Sequence, residues 1–285
     1  MPSSLRIAAV LLPALFLFGC ASQPTAPITP PGKKPAKQAK HYFRAPSDLS
    51  SGIGHYPRFP SGARSVDDVL NSFEPYAMEQ LEPYFIKAGV EYPPSEVVLL
   101  AIKDEKRMEI WARDTGRFKL IREYKIKAAS GMRGPKLQQG DRQVPEGIYH
   151  ISRLNPNSSY HLSMKVDYPN QFDLEHAEMD GRSNLGGDIF IHGKNVSAGC
   201  LAMGDGAIEE LFVMVAHVGT ENIRVLITPS DPRNAPLDSS SPSLPEWTDD
   251  LYREITREVF QVTGAKPPVR IASSRADHPI YKRAN

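Results

Sequence analysis

The chain has 285 residues, of which 40% are hydrophobic and 24% charged, an ordinary balance for a protein with a packed core. Its formal net charge of +1 provides no excess of basic groups, so we expect no nucleic-acid partner. The length suits one large domain with appended segments, or two small domains.

The first segment, residues 1–20, has the pattern of an export signal. Arg6 precedes an apolar run over residues 7–18, which is short for a bilayer span and has the size of a signal-peptide core. The run leads into Leu17-Phe18-Gly19-Cys20, which resembles a bacterial lipobox, although Phe18 is bulky for its position. An ordinary cleaved signal or an anchor helix is the alternative. If Cys20 is lipidated, Ala21 after it favours sorting to the outer membrane.

The next segment, residues 21–47, is rich in proline and lysine and has almost nothing to bury, so we expect an extended tether. With Cys20 lipidated, Cys200 is the only thiol left in an oxidising compartment, because the chain has two cysteines. It then has no disulfide partner. Cys200 is therefore either a buried, inert thiol or a nucleophile.

Residues 48–94 are predicted to be a helical segment. Ser65 suits the N-cap of a first short helix. Pro75 opens a second helix, which we expect Pro83 to kink or divide and Gly89 to end.

From residue 95 onwards, apolar residues recur with a period of two, which is typical of strands. Met108, Ile110 and Ala112, for example, alternate with charged or polar neighbours, and successive turns predict an antiparallel meander. The predicted strands are residues 97–103, 107–113, 118–128, the stretch after the turn at 145–147, and residues 161–166, 188–192 and 223–227.

Two helices are predicted after the cysteine. Asp205 is positioned to cap the first, and Gly219 to end it. The second starts near Pro245, ends before Gly264 and has an apolar stripe that suits packing better than membrane binding. It lies in a C-terminal segment, residues 231–285, which follows a main domain at residues 95–230.

His192 and Cys200 form the chemical pattern of interest. A thiol attacks an acyl carbon as thiolate, and a nearby histidine is able to take its proton. The small residues between them suit a tight loop, in which Gly199 allows close approach of a substrate carbonyl. Ser197 is expected to bond within this loop, and amides near Cys200 to form an oxyanion hole.

Two structural alternatives remain for these residues. Cys200 could be a buried structural thiol, with His192 a core histidine satisfied by the backbone. A metal site would need His161 and His176 to join as ligands, which the ligand count disfavours, so we expect no metal.

The stretch "IHG…SAGCLAM" resembles the signature of the YkuD-type L,D-transpeptidases, in which His-Gly precedes Ser-x-Gly-Cys. "GDRQVPEGIYHI" resembles the family segment ahead of the site, and "NPNSSYHLSMKVDYPN" resembles the YafK-like branch. The resemblance covers about residues 95–230. It implies a mainly β, sandwich-like or barrel-like catalytic domain with flanking helices, α+β overall.

The resemblance also implies roles for individual residues. Cys200 becomes the acyl-accepting nucleophile and His192 the base, and the carbonyl of Gly193 holds the imidazole. The substrates would be peptidoglycan stem peptides that contain diaminopimelate, and no cofactor is implied. Tyr160, His161 and Arg142 are our candidate substrate-binding residues.

The chain departs from the family in two ways. Its segment between histidine and cysteine is short, and Ala202 stands where many members have an arginine two residues after the cysteine. Arg133, Arg142 or Arg182 could replace that arginine in holding a substrate carboxylate.

The sequence thus predicts a lipid-anchored periplasmic acyltransferase that remodels peptidoglycan. One alternative is a hydrolase of the same branch that releases a peptidoglycan-linked lipoprotein. A second is a non-catalytic lipoprotein that binds peptidoglycan.

Overall fold

The computed structural model describes residues 63–266, so the expected signal peptide, Cys20 and the tether lie outside the described residues. The helices in this range are α1 (Val66–Ala88), α2 (Gln171–Met179), α3 (Asp205–Val218) and α4 (Thr248–Thr263). The strands are β1 (Glu96–Ile102), β2 (Arg107–Arg113), β3 (Lys119–Lys125), β4 (Ala128–Ala129), β5 (Gly147–Asn155), β6 (Ser163–Val166), β7 (Phe190–His192), β8 (Leu201–Ala202) and β9 (Ile223–Thr228).

These strands form a nine-stranded sheet over the described range, in the order β3-β2-β1-β9-β5-β6-β7-β8-β4. The predicted meander is confirmed, because β1–β2 and β2–β3 pair antiparallel. The fold is mainly β with flanking helices, as the resemblance implies.

The stretch predicted as one strand at residues 118–128 is divided between the two edges of the sheet. Ile126 donates its amide to Lys106 O beside β2, whereas the amide of Lys127 donates to Ala202 O in β8. Since β3 and β4 are the edge strands and only two residues separate them, the sheet curls round on itself.

Strand β1 shows why this sheet is buried on both faces. Alternate residues Val97, Leu99 and Ala101 face a core shared with α1 and α3. The intervening Val98, Leu100 and Ile102 face a second core shared with α4. A strand covered on both faces has a continuous apolar run, which is what this segment has.

Helix α1 is one continuous helix of 23 residues, so the prediction of two helices, the second opened by Pro75, is wrong, and Pro83 does not divide the helix. Each internal proline removes a backbone hydrogen bond and costs about 3 kcal/mol in an isolated helix. Packing outweighs this cost, because an apolar row along one face is buried against the sheet. That row is Val69, Phe73, Ala77, Leu81 and Phe85.

Helix α2 was not predicted, although its start carries a recognisable signal. Asn170 accepts a bond from the amide of Asp173, and the Asp173 carboxylate accepts one from the amide of Asn170. This reciprocal capping resembles the Ser/Thr-x-x-Glu box with shorter side chains.

Within residues 63–266, no helix is both long and apolar enough to cross a bilayer.

Candidate active site

Strands β7 and β8 bring the histidine and the cysteine together. They pair in parallel, with His192 opposite Ala202. Cys200 lies in the bend immediately before β8, two residues before Ala202. The pairing therefore places the turn that carries Cys200 beside β7, the strand that ends in His192.

His192 is held as a neutral base. Its side chain is buried, and Nδ1 lies 2.6 Å from Gly193 O. A carbonyl only accepts, so Nδ1 carries the hydrogen and Nε2 keeps a free lone pair. Burial lowers the pKa of His192, although the bond to Gly193 opposes this. The imidazole is thus oriented and uncharged near neutral pH, as a general base requires.

Cys200 is partly buried, and its Sγ lies 3.7 Å from Asp188 O. Burial raises the pKa of the thiol, and the Phe190 amide opposes this shift only in part. Among the described residues no hydrogen bond joins Cys200 to His192. Both pKa directions favour a resting state in which Cys200 is a protonated thiol and His192 a neutral imidazole.

Two serines brace the turn that carries Cys200. Ser197 Oγ donates to Cys200 O at 2.7 Å and accepts from the amide of Ser130 at 3.2 Å. Ser130 Oγ accepts from the amide of Gly199 at 2.6 Å and donates to Arg142 O at 2.7 Å. Ser197 was expected to bond within this loop, and it does. Ser130 was missed, because it lies far away in the sequence.

The amide of Gly199 is therefore engaged and is not free for an oxyanion. Gly199 has φ +112°, a backbone conformation that L side chains rarely adopt, which explains the glycine. In the described part of the chain, the amide of Cys200 has no hydrogen-bond acceptor. That amide is the available oxyanion donor at the nucleophile.

This geometry agrees with what comparison with known proteins finds. Residues 96–227 match the model of the YkuD family, the L,D-transpeptidase catalytic domain. This segment is similar to that family. The matched range runs from the start of β1 to within β9, so it contains His192, Cys200 and Ser130.

Two relatives and two solved structures resemble the chain. "Putative L,D-transpeptidase YafK" of Escherichia coli strain K12 and of O157:H7 are each 34% identical over 140 residues, 47% of this chain and 54% of the relative. The chain thus spans about half the length of the curated relatives that it matches. The helical cell shape determining protein Pgp2 of Campylobacter jejuni is 24% identical, with a TM-score of 0.40 over 53% of this chain and 56% of that one. Bd1075 of Bdellovibrio bacteriovorus is 20% identical, with a TM-score of 0.36 over 59% and 57% of the two chains.

In this domain, Asp205 does not cap α3 as predicted. The N-cap is Gly204, and Asp205 Oδ1 instead accepts the amide of Lys194 at 2.8 Å. Asp205 therefore fastens the start of the loop between His192 and Cys200. A Cβ at Gly193 would lie 2.7 Å from Asp205 Oδ1 and 2.5 Å from Tyr160 O, so only glycine fits there.

The candidate substrate-binding residues lie in different settings. Tyr160 is 42% exposed, and its ring lies over His192. His161 Nε2 lies 2.7 Å from Glu209 Oε1, with its side chain only 15% exposed. The ring that was expected to contact substrate is therefore hydrogen-bonded to Glu209.

The three arginines proposed to replace the family arginine also differ. Arg133 lies 3.6 Å from Asp238, and Arg182 lies 2.8 Å from Asp180. Arg142 is exposed and, within residues 63–266, makes no ion pair. Its backbone is anchored beside the nucleophile through Ser130, as described above. Arg142 is therefore the guanidinium of the three that is open to a carboxylate.

Within the described range, no group of three or more His, Cys, Asp or Glu side chains is arranged to hold a metal ion. His176 Nδ1 contacts Phe172 O at 2.8 Å on helix α2.

Proposed function

We propose that this chain is a cysteine acyltransferase of the L,D-transpeptidase type that acts on diaminopimelate-containing peptidoglycan stem peptides. The observation that carries the proposal is the orientation of His192. Its Nδ1–H donates to Gly193 O, which leaves Nε2 as a base at the end of the strand beside the turn that carries Cys200. The match of residues 96–227 to the family model supports peptidoglycan stem peptides as the substrates.

In the first half-reaction, the Cys200 S–H proton passes to Nε2 of His192 while sulfur bonds to the carbonyl carbon of the third stem residue. The carbonyl oxygen takes the negative charge and accepts a hydrogen bond from the backbone amide of Cys200. When the C–N bond breaks, His192 returns the proton to the departing amine of the D-residue. The product is a thioester on Cys200 with His192 neutral again.

In the second half-reaction an acceptor attacks the thioester. An amine of another stem gives a new peptide bond and thus transpeptidation, whereas water gives a free carboxylate. In both cases His192 takes the acceptor's proton and passes it to the departing thiolate. A peptidoglycan-linked lipoprotein as the acyl donor, with water as acceptor, is the hydrolytic alternative.

We propose Arg142 as the residue that binds a substrate carboxylate. Its unpaired guanidinium and its anchorage beside Gly199 support this role. An arginine binds carboxylate by two parallel hydrogen bonds, which adds orientation to affinity. Arg142 would then replace the arginine that many members of the family have where this chain has Ala202.

We also propose that Cys20 is lipidated and holds the protein in the periplasm at the outer membrane. The apolar run and the lipobox-like ending of residues 7–20 support this location. The tether at residues 21–47 would let the domain reach the peptidoglycan.

The experiment is to incubate the purified full-length protein with stem tetrapeptide muropeptides and to measure product masses. Loss of the D-residue with formation of cross-linked dimers would establish transfer, and shortened monomers alone would establish hydrolysis. A thioester mass on the protein should appear in both cases and be absent from Cys200→Ser. Binding of muropeptides without any change in mass would leave only the non-catalytic lipoprotein.

A further inference from the structure

Tyr160 lies directly over the proposed base. The ring centroids of Tyr160 and His192 are 4.5 Å apart, with the planes tilted by 35°. The face of a tyrosine ring is electron-rich and attracts a cation within about 6 Å of its centre. The imidazole of His192 is therefore in contact with a surface that favours its protonated form.

The loop that carries Tyr160 is tied to the segment before α1. Asn157 Oδ1 accepts the amide of Arg64 at 2.7 Å, and Asn157 Nδ2 donates to Arg64 O at 2.7 Å. The Arg64 guanidinium donates to His161 O at 2.8 Å. Arg64 precedes the family segment of residues 96–227, so a part of the chain outside that segment holds this loop.

The other side of the loop is anchored to the body of the domain. The His161 ring contacts Glu209 of α3 at 2.7 Å and packs edge-on against Phe73 of α1, with centroids 5.6 Å apart. Lys194 Nζ donates to Ser159 O at 2.6 Å. Residues on both sides of Tyr160 are thus fixed, although Tyr160 itself is half-exposed.

We propose that Tyr160 is a positioning residue that stabilises His192 in its protonated form during acylation, and that the Arg64–Asn157 pair keeps it in place. This inference rests on the proposed function. When the Cys200 proton reaches Nε2, His192 becomes a cation between the Gly193 carbonyl and the Tyr160 ring.

The test compares Tyr160→Phe with Tyr160→Leu in the full-length protein. Phenylalanine keeps the ring face, and leucine keeps an apolar cover without it. We expect Phe to retain kcat/KM within about twofold, whereas Leu lowers it by about 2- to 30-fold, the range of a cation–π contact. With Leu, the acidic limb of the kcat/KM profile should move to lower pH, since the protonated imidazole loses its partner. Tyr84→Leu is the control, because Tyr84 is 39% exposed on α1 and lies under Arg122.

Asn157→Ala provides a second readout, because it removes both bonds to Arg64 without altering the ring. A smaller loss with the same shift of the acidic limb would support the clamp. If Leu matches the parent in rate and profile, or if Phe loses as much as Leu, the inference is wrong. A parent that forms no thioester would instead refute the proposed function, so the two failures are distinguishable.

Discussion

The amide of Gly199 donates a hydrogen bond to Ser130 Oγ at 2.6 Å, and this contact joins two segments that lie 69 residues apart in the chain. Ser130 also donates to Arg142 O. One hydroxyl therefore holds the nucleophile turn and the loop of the proposed carboxylate-binding residue in a fixed relationship.

Replacing this serine tests whether the bracing matters for catalysis. Ser130→Ala leaves the Gly199 amide without its acceptor, a loss of about 1–3 kcal/mol. If this loss of free energy destabilises the turn that carries Cys200, kcat/KM should decrease by about tenfold or more. Ser72→Ala is the matched control, since Ser72 Oγ also donates to a backbone carbonyl, Asp68 O, but on helix α1. An equal loss in both variants would contradict the assignment.

The neutral resting pair predicts that alkylation and acylation of Cys200 depend differently on pH. Because burial raises the pKa of the thiol, alkylation by a small reagent should be slow at pH 7 and rise above the ordinary thiol pKa of about 8.5. Acylation by substrate needs neutral His192, whose pKa burial lowers. It should therefore persist at pH 7 and fall only below the ordinary histidine pKa of about 6.5.

His192→Ala separates the two reactions. Acylation should fall by about two to four decades, the usual scale of general acid–base catalysis, while alkylation changes little. His176→Ala serves as control because its ring stacks on Phe172 on α2. An alkylation rate that levels off below pH 7 in the parent would contradict this prediction, because it would indicate a resting pair of Cys200 thiolate and His192 imidazolium.

Arg142→Gln should weaken substrates that carry a free carboxylate. A hydrogen bond to a charged group contributes about 1.5–3 kcal/mol, so KM should rise by about 10- to 100-fold with kcat nearly unchanged. Arg117→Gln, another exposed arginine, is the control. A substrate whose carboxylate is amidated should not distinguish Arg142→Gln from the parent; if it does, the effect has another origin.

The anchor is tested independently of the chemistry. With Cys20→Ala, labelling by fatty acid should vanish and the protein should leave the membrane fraction or remain unprocessed. Cys200→Ser should keep the label, which controls for the second cysteine. Persistent labelling of Cys20→Ala would exclude lipidation at that residue.

Local patterns predicted the parts of this fold that local physics determines. The alternation of Met108, Ile110 and Ala112 identifies β2, because a strand exposes its two faces in turn. His192 and Cys200 were selected as candidates because a histidine and a cysteine eight residues apart are visible in the sequence itself. The roles of Ser130 and Tyr160 depend instead on contacts between residues far apart in the sequence, which a local sequence pattern does not predict.

Two errors have the same physical origin. Pro83 was expected to divide α1, and Asp205 to cap α3. In each case tertiary contacts override the local preference: a buried apolar row stabilises α1, and the amide of Lys194 takes the Asp205 carboxylate. Propensity is a weak preference that packing outweighs.

The buried Asp173 predicts a stability that falls between mildly acidic and neutral pH. Burial raises its pKa to about 6 from the ordinary value of 3.8, despite its bonds to Asn170 and Tyr149. Between these values the folded state binds more protons than the unfolded state, so the free energy of unfolding decreases as pH rises. This term is fully present below about pH 4, is lost above about pH 6 and is on the order of 2–3 kcal/mol.

Asp173→Asn tests this prediction because an amide oxygen still accepts the bond from Asn170 and carries no charge. Denaturant unfolding at several pH values should show that the variant loses the decrease between pH 4 and 6 and is more stable than the parent at pH 7.5. Asp238→Asn is the control, since Asp238 is exposed and its pKa is lowered by bonds to Ser240. If Asp173→Asn keeps the parent's dependence on pH, another buried group is responsible. The candidate is then Glu210, whose pKa burial also raises.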